Sequence, residues 1–271
     1  MPNCGMHLWF ILALALAFCP GAFGADPAGW ELVWHDEFDG VALDPTKWEF
    51  EVNGKGGGNH ELQYYLTNNV RVGDGMLRIE ARKEQYTGPD GTREYTSSRI
   101  RTRHKGDWTY GRFEIRARLP SGRGLWPAIW LLPTGERFGS WPHSGEIDLM
   151  ELVGHKPAEV LGTLHYSDRQ GRHRYHGTNT TLMTGTFADS FHDFRLEWER
   201  GVFRWYVDDR LYQTQTNWTR RRGEYPAPFD QPFHLLLNVA VGGGLPGNPD
   251  ASTTFPQAMV VDYVRVYRRK E

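Results

Sequence analysis

Polar and apolar residues alternate along most of this chain. Over residues 111–119, Phe113, Ile115, Ala117 and Leu119 fall on one side and Arg112, Glu114, Arg116 and Arg118 on the other. A period of two is that of a half-buried strand. The same rhythm fills residues 194–199 and 202–207, parted by Arg200-Gly201, and predicts a hairpin. A turn at Asp208-Asp209 leads into another strand from Arg210, and residues 259–267 form a last one. After the first 24 residues no long stretch repeats its apolar positions at helical spacing. Many strands, frequent Gly and Pro turns and no helices predict an all-β fold. We expect an antiparallel β-sandwich of jelly-roll type with a concave substrate cleft.

The N-terminus breaks the rhythm. Residues 1–24 hold no Asp, Glu, Lys or Arg, and an apolar run from Leu8 to Phe18 stops at Cys19-Pro20. Ala22 and Gly24 supply the small residues of a cleavage site, so 1–24 reads as a signal peptide and 25–271 as one domain. Lipid attachment at Cys19 is the other reading. The run is too short to span a bilayer comfortably, so we expect a secreted protein, extracellular or periplasmic, with no stable membrane association. Cys4 and Cys19 are the two cysteines of the chain, and the processed protein would have no disulfide. A net charge of −2 offers no basic field for nucleic acid. Aromatic residues make up 14%, with 11 Trp, which serves core packing or the stacking of sugar rings.

Chemistry concentrates in Gly145-Glu146-Ile147-Asp148-Leu149-Met150-Glu151. On a strand Glu146 and Asp148 share a face, whereas strict alternation turns Glu151 away. One extra residue, a β-bulge around Leu149-Met150, restores the phase. All three carboxylates then line one face, with Ile147 and one of Leu149 or Met150 pointing inward. Same-face neighbours are about 6.6 Å apart along a strand, and the longer Glu side chains can lean together over the Asp. Retaining glycosidases need two carboxyls about 5–5.5 Å apart, one a nucleophile and one an acid/base. An acidic strand facing solvent, or a metal site, is the alternative for three such acids alone. Trp126 and Trp130, at the ends of a short apolar strand, and Trp141 just before the acidic segment favour a sugar cleft.

The segment resembles the active-site signature of glycoside hydrolase family 16 in the bulged form of its laminarinase-like members, the endo-1,3-β-glucanases. Further similar stretches are Trp34-His-Asp-Glu-Phe-Asp-Gly40, Asn59-His-Glu-Leu-Gln-Tyr-Tyr65, residues 110–120, residues 124–133 and residues 261–267. They run in order over nearly all of 25–271. The resemblance implies Glu146 as nucleophile, Asp148 as its assistant and Glu151 as acid/base. It implies cleft roles for Trp126, Trp130, Trp141 and His165, although Trp130 could pack the core and His165 could be an ordinary strand histidine. Asn59, Glu61 and Gln63 would share one strand face and either bond sugar hydroxyls or simply form a polar face. Arg101 would contact a sugar, and Asn238, amid apolar residues, needs a partner.

No cofactor is implied for catalysis. A structural calcium is, through the Asp262 carboxylate and the carbonyls of Glu37 and Gly75; otherwise Asp262 caps a sheet edge or pairs with an Arg. The expected function is endo-acting, retaining hydrolysis of β-1,3-glucan of the laminarin type by a monomer whose partner is the polysaccharide. The alternatives are mixed-linkage glucanase or galactan hydrolase activity on the same scaffold, or a glucan-binding protein without catalysis. Relatives of that last kind generally lack the two glutamates found here.

Overall fold

The computed structural model describes residues 26–271 and Met1. Nearly all of the expected signal segment, with Cys4 and Cys19, lies outside the described residues. Those described form strands joined by turns, with no α-helix and two short 3₁₀ turns at Gly56–Gly58 and Thr67–Asn69.

Two eight-stranded sheets face each other. The back sheet runs in the order Arg210–Gln215, Val202–Val207, His192–Glu199, Gly111–Arg118, Gln257–Arg269, Met76–Ala81 and Val70–Gly73, with Trp30–Asp36 also paired to Gln257–Arg269. The cleft sheet runs His173–Thr181, Glu159–Ser167, Glu146–Leu152, Leu125–Pro133, Phe233–Val241, Arg99–Arg101 and Glu49–Phe50, with Asp107–Trp108 also on Phe233–Val241. Every pairing between these strands is antiparallel. The expected jelly-roll sandwich is the fold observed.

The alternation read from the sequence decides what lies between the sheets. Phe113, Ile115 and Ala117 are fully buried, while their polar neighbours are half-buried on the outer face. The hairpin of 192–199 and 202–207 contributes Trp198, Phe203 and Trp205, which pack with Phe229 and Phe233. Truncating one such ring to Ala costs about 3–5 kcal/mol. Trp205 also reaches through the core. Its indole N–H donates to the backbone carbonyl of Asp148 in the opposite sheet, at 2.9 Å. Gly162 makes this crossing possible, because a Cβ there would lie 2.4 Å from Trp205 Cδ1.

One edge of Gln257–Arg269 is shared by two strands. Met76–Ala81 pairs with it up to Val261, and Trp30–Asp36 takes over at Val264. Asp262 and Tyr263 fall in the gap, near Gly75 and Glu37, which adjoin the facing ends of those two strands. The expected calcium residues therefore converge on one spot of the back sheet. There the Asp262 carboxylate pairs with Arg116 at 3.3 Å, as its alternative reading has it, and Arg265 holds the Glu37 side chain.

Candidate active site

The site is built on Glu146–Leu152. Asp148 is opposite Thr163 and Glu151 opposite Leu161 on one neighbour; on the other, Trp130 is opposite Asp148 and Ile129 opposite Met150. Each neighbour has one residue fewer, so the extra residue is the predicted bulge at Leu149-Met150. Ile147, Leu149 and Met150 are all buried in the core. One of Leu149 and Met150 was expected inward; the bulge lets both be covered.

Glu146, Asp148 and Glu151 consequently line one cleft of about 940 Å³. Trp141 donates its indole N–H to Glu146 Oε2 at 2.7 Å, and Trp126 donates to Glu151 Oε1 at 2.9 Å. His165 stands directly across from Glu146 in the sheet, and its Nε2 is 3.1 Å from Asp148 Oδ2. Trp130 lies half-buried in the cleft rather than in the core, donating to Asn238 Oδ1 at 2.7 Å. Asn238 in turn donates to the Tyr65 hydroxyl at 3.2 Å, so this buried amide has the partners it required.

Burial leads the causes that set the proton affinities of the three carboxylates, and among the described residues no Arg or Lys forms an ion pair with them. Burial first and the Asp148 charge second push Glu146 up to about 8, while His165 and the Trp141 N–H pull against them. Burial also raises Asp148, whose bond with Glu146 opposes the shift. Glu151 is raised well above the ordinary range by burial, then by the charges of Asp148 and Glu146. Three carboxyls so placed do not all ionise near neutral pH. Glu151 faces two like charges, and a proton there is the one most firmly kept. That is the state of a general acid. Glu146 has an indole donor and a nearby imidazole to favour its anion. Glu146, Asp148 and His165 could also hold a metal, with atoms within 4.8 Å of one another.

Asn59, Glu61 and Arg101 also line the cleft, with two revisions. Asn59, Glu61 and Gln63 do not share a strand face. His60 has a φ of 61°, which turns the chain, and the strand begins only at Gln63. Glu61 is instead buried, accepting bonds from Gln63 at 2.7 Å and Tyr65 at 3.2 Å. Its carboxylate leaves no room for a side chain at Gly57, where a Cβ would be 2.1 Å from Oε1. Arg101 reaches the cleft with its guanidinium already held by Glu49 and Glu51. Sequence reasoning missed Arg99, His173 and Tyr175, all in the cleft lining. Arg99 lies over the rings of Tyr65 and Trp130, at 4.8 and 5.2 Å.

A pair of glutamates with unequal proton affinities, set among indoles in a sandwich cleft, defines a glycoside hydrolase. The comparisons agree. The model of glycosyl hydrolases family 16 matches residues 58–265, and the chain belongs to that family. It is 51% identical to a β-glucanase of Rhodothermus marinus, over 88% of this chain and 85% of the relative. It is 39% identical to a glucan endo-1,3-β-glucosidase of Cryptopygus antarcticus, over 94% and 97%. The fold superposes on the laminarinase catalytic domain of Thermotoga maritima with a TM-score of 0.81 and 41% identity, covering 89% of this chain and 99% of that one.

Proposed function

We propose that the protein is a secreted, endo-acting hydrolase of β-1,3-glucan that works by double displacement with retention. The observation that carries this reading is the one-residue bulge, which brings Glu146 and Glu151 into one cleft under separate indole donors. Glu146 attacks the anomeric carbon while Glu151 gives its proton to the leaving oxygen. A covalent glycosyl-enzyme forms, and Glu151, now a base, takes a proton from the incoming water. Asp148 shares a proton with Glu146 and steadies its anion. Lining residues come from six successive strands, from His173–Thr181 to Arg99–Arg101. At about 4.8 Å per strand that is roughly 24 Å of floor, enough to hold several sugars of an internal segment. The indoles of Trp126, Trp130 and Trp141 are bonded at their edges in the cleft, with Arg99 over Trp130 and His173 against Trp141, and they offer apolar surface to pyranose rings.

The relatives named above support glucan over galactan. Reducing-sugar release compared on laminarin, lichenan, agarose and carrageenan tests the substrate, with laminarin expected to lead. Proton NMR of the earliest products, before mutarotation, tests the stereochemistry. The β-anomer is expected first, and an α-anomer would overturn Glu146 as nucleophile. Export rests on the apolar 8–18 segment, and the N-terminal sequence of protein recovered outside the cell checks it.

Calcium on the back sheet belongs to the same proposal. Asp262 keeps its proton more firmly than an ordinary Asp, chiefly through burial, with Glu37 and Asp193 adding like charge against Arg116 and Arg265. Strand-end carbonyls beside such a carboxylate fit an oxygen-coordinated cation. Calcium should raise the melting temperature over chelator, and Asp262→Asn should abolish the difference; equal melting in calcium and chelator rules the site out.

A further inference from the structure

Beyond the carboxylates, one edge-strand residue touches two of the groups that hold them. His173 Nε2 lies 2.9 Å from His165 Nδ1. The two ring centroids are 5.1 Å apart and the planes differ by 15°. With the nitrogens facing each other, the imidazoles lie end to end in nearly one plane rather than face to face. The far nitrogen of His165 is the one that faces Asp148. The other side of His173 packs on Trp141, at 4.6 Å between centroids, and Trp141 is the indole that donates to Glu146.

We propose that His173 is a positioning residue for the reaction: it fixes His165 as the tautomer with its proton on Nε2, toward Asp148, and backs Trp141 against Glu146. This rests on the roles given above to Glu146 and Asp148. Two nitrogens 2.9 Å apart require one proton between them. Neutral His165 has a single N–H. Asp148 Oδ2, 3.1 Å from His165 Nε2 and bonded to no other group among the described residues, is an acceptor whichever of Asp148 and Glu146 carries the proton between them. The His165 proton then belongs on Nε2, and its bare Nδ1 needs a donor, which is His173 Nε2–H. Burial, followed by His165 and Arg174, lowers the proton affinity of His173. A tautomer fixed by its outer partner is a common device for holding an imidazole at a reacting centre.

Three substitutions separate the donor from the ring. His173→Gln places an amide N–H near the position of Nε2 without the ring. His173→Phe keeps the ring against Trp141 without the donor, and His173→Ala removes both. On laminarin, Phe and Ala should lower kcat about tenfold, the equivalent of one hydrogen bond to a working group. KM should change less than twofold, and Gln should recover most of kcat. Nitrogen-15 NMR should find His165 protonated on Nε2 in the parent and Gln proteins, and as a tautomer mixture in Phe. Full kcat in the Phe variant, a Gln variant as impaired as Ala, or an unchanged His165 tautomer in Phe would each overturn the proposal. The NMR result does not depend on turnover. A failed role for Glu146 would show as activity in Glu146→Gln, whatever His173 does.

Discussion

Two sets of acids in this sandwich share one sequence rhythm and meet opposite surroundings. On the back sheet, Glu114 lies between Arg112 and Arg195, and Glu197 meets Arg112 at 3.2 Å. Arg265 grips both oxygens of Glu37, at 2.9 and 2.7 Å. On the cleft sheet, Glu146, Asp148 and Glu151 face one another, two indole N–H groups and one imidazole. Alternation tells which acids share a face. The residues on the neighbouring strands decide whether that face is a neutralised lattice of ion pairs or a site whose carboxyls compete for protons.

The comparison breaks most visibly at Glu146. Glu146→Gln should lower kcat on laminarin by on the order of 10⁴ or more while the circular dichroism spectrum stays that of the parent. Glu151→Gln should lose about 10²–10⁴ on polysaccharide, and much less on an aryl glycoside whose leaving group needs no proton. The parent should lose activity as pH rises through the elevated pKa of Glu151, because the acid is then ionised; the Gln variant should lack that alkaline limb. Asp148→Asn, which leaves the nucleophile in place, should lose least of the three.

Stability sharpens the contrast. The folded protein keeps a proton on the Glu146–Asp148 pair up to about 8, whereas the unfolded carboxyls release theirs near 4.5 and 3.8. Folding is therefore favoured below the unfolded values, and that advantage disappears as pH climbs toward 8. The melting temperature of the parent should fall between pH 5 and 8, and that of Glu146→Gln should fall less. A parent that melts higher at pH 8 than at pH 5 would contradict this strain. The smallest effect belongs to the back sheet. Glu114→Gln should change stability by about 1 kcal/mol or less, by denaturant titration, and leave kcat alone.

The legible parts of this molecule were those where a local rule and the core agree. The bulge at Leu149-Met150 followed from three acids that had to share a face, and the 111–118 strand from Phe113, Ile115 and Ala117, which had to be buried. The positive φ of His60 left no mark in a polar segment, so Asn59 and Glu61 were read as strand neighbours. The partners of Arg101, Glu49 and Glu51, went unseen because they lie about fifty residues away in the chain. His173–Thr181 was missed for a different reason. It is an edge strand whose residues are exposed on both faces except Thr180, so no apolar alternation announced it. His173 and Tyr175 came with it unseen.

Trp205 ties heat resistance to turnover. Its indole fastens the backbone of Asp148 to the opposite layer, so the strand that carries the reacting groups is anchored through the core. Warming should therefore leave the enzyme working until the layers part, with activity and fold disappearing in a single transition.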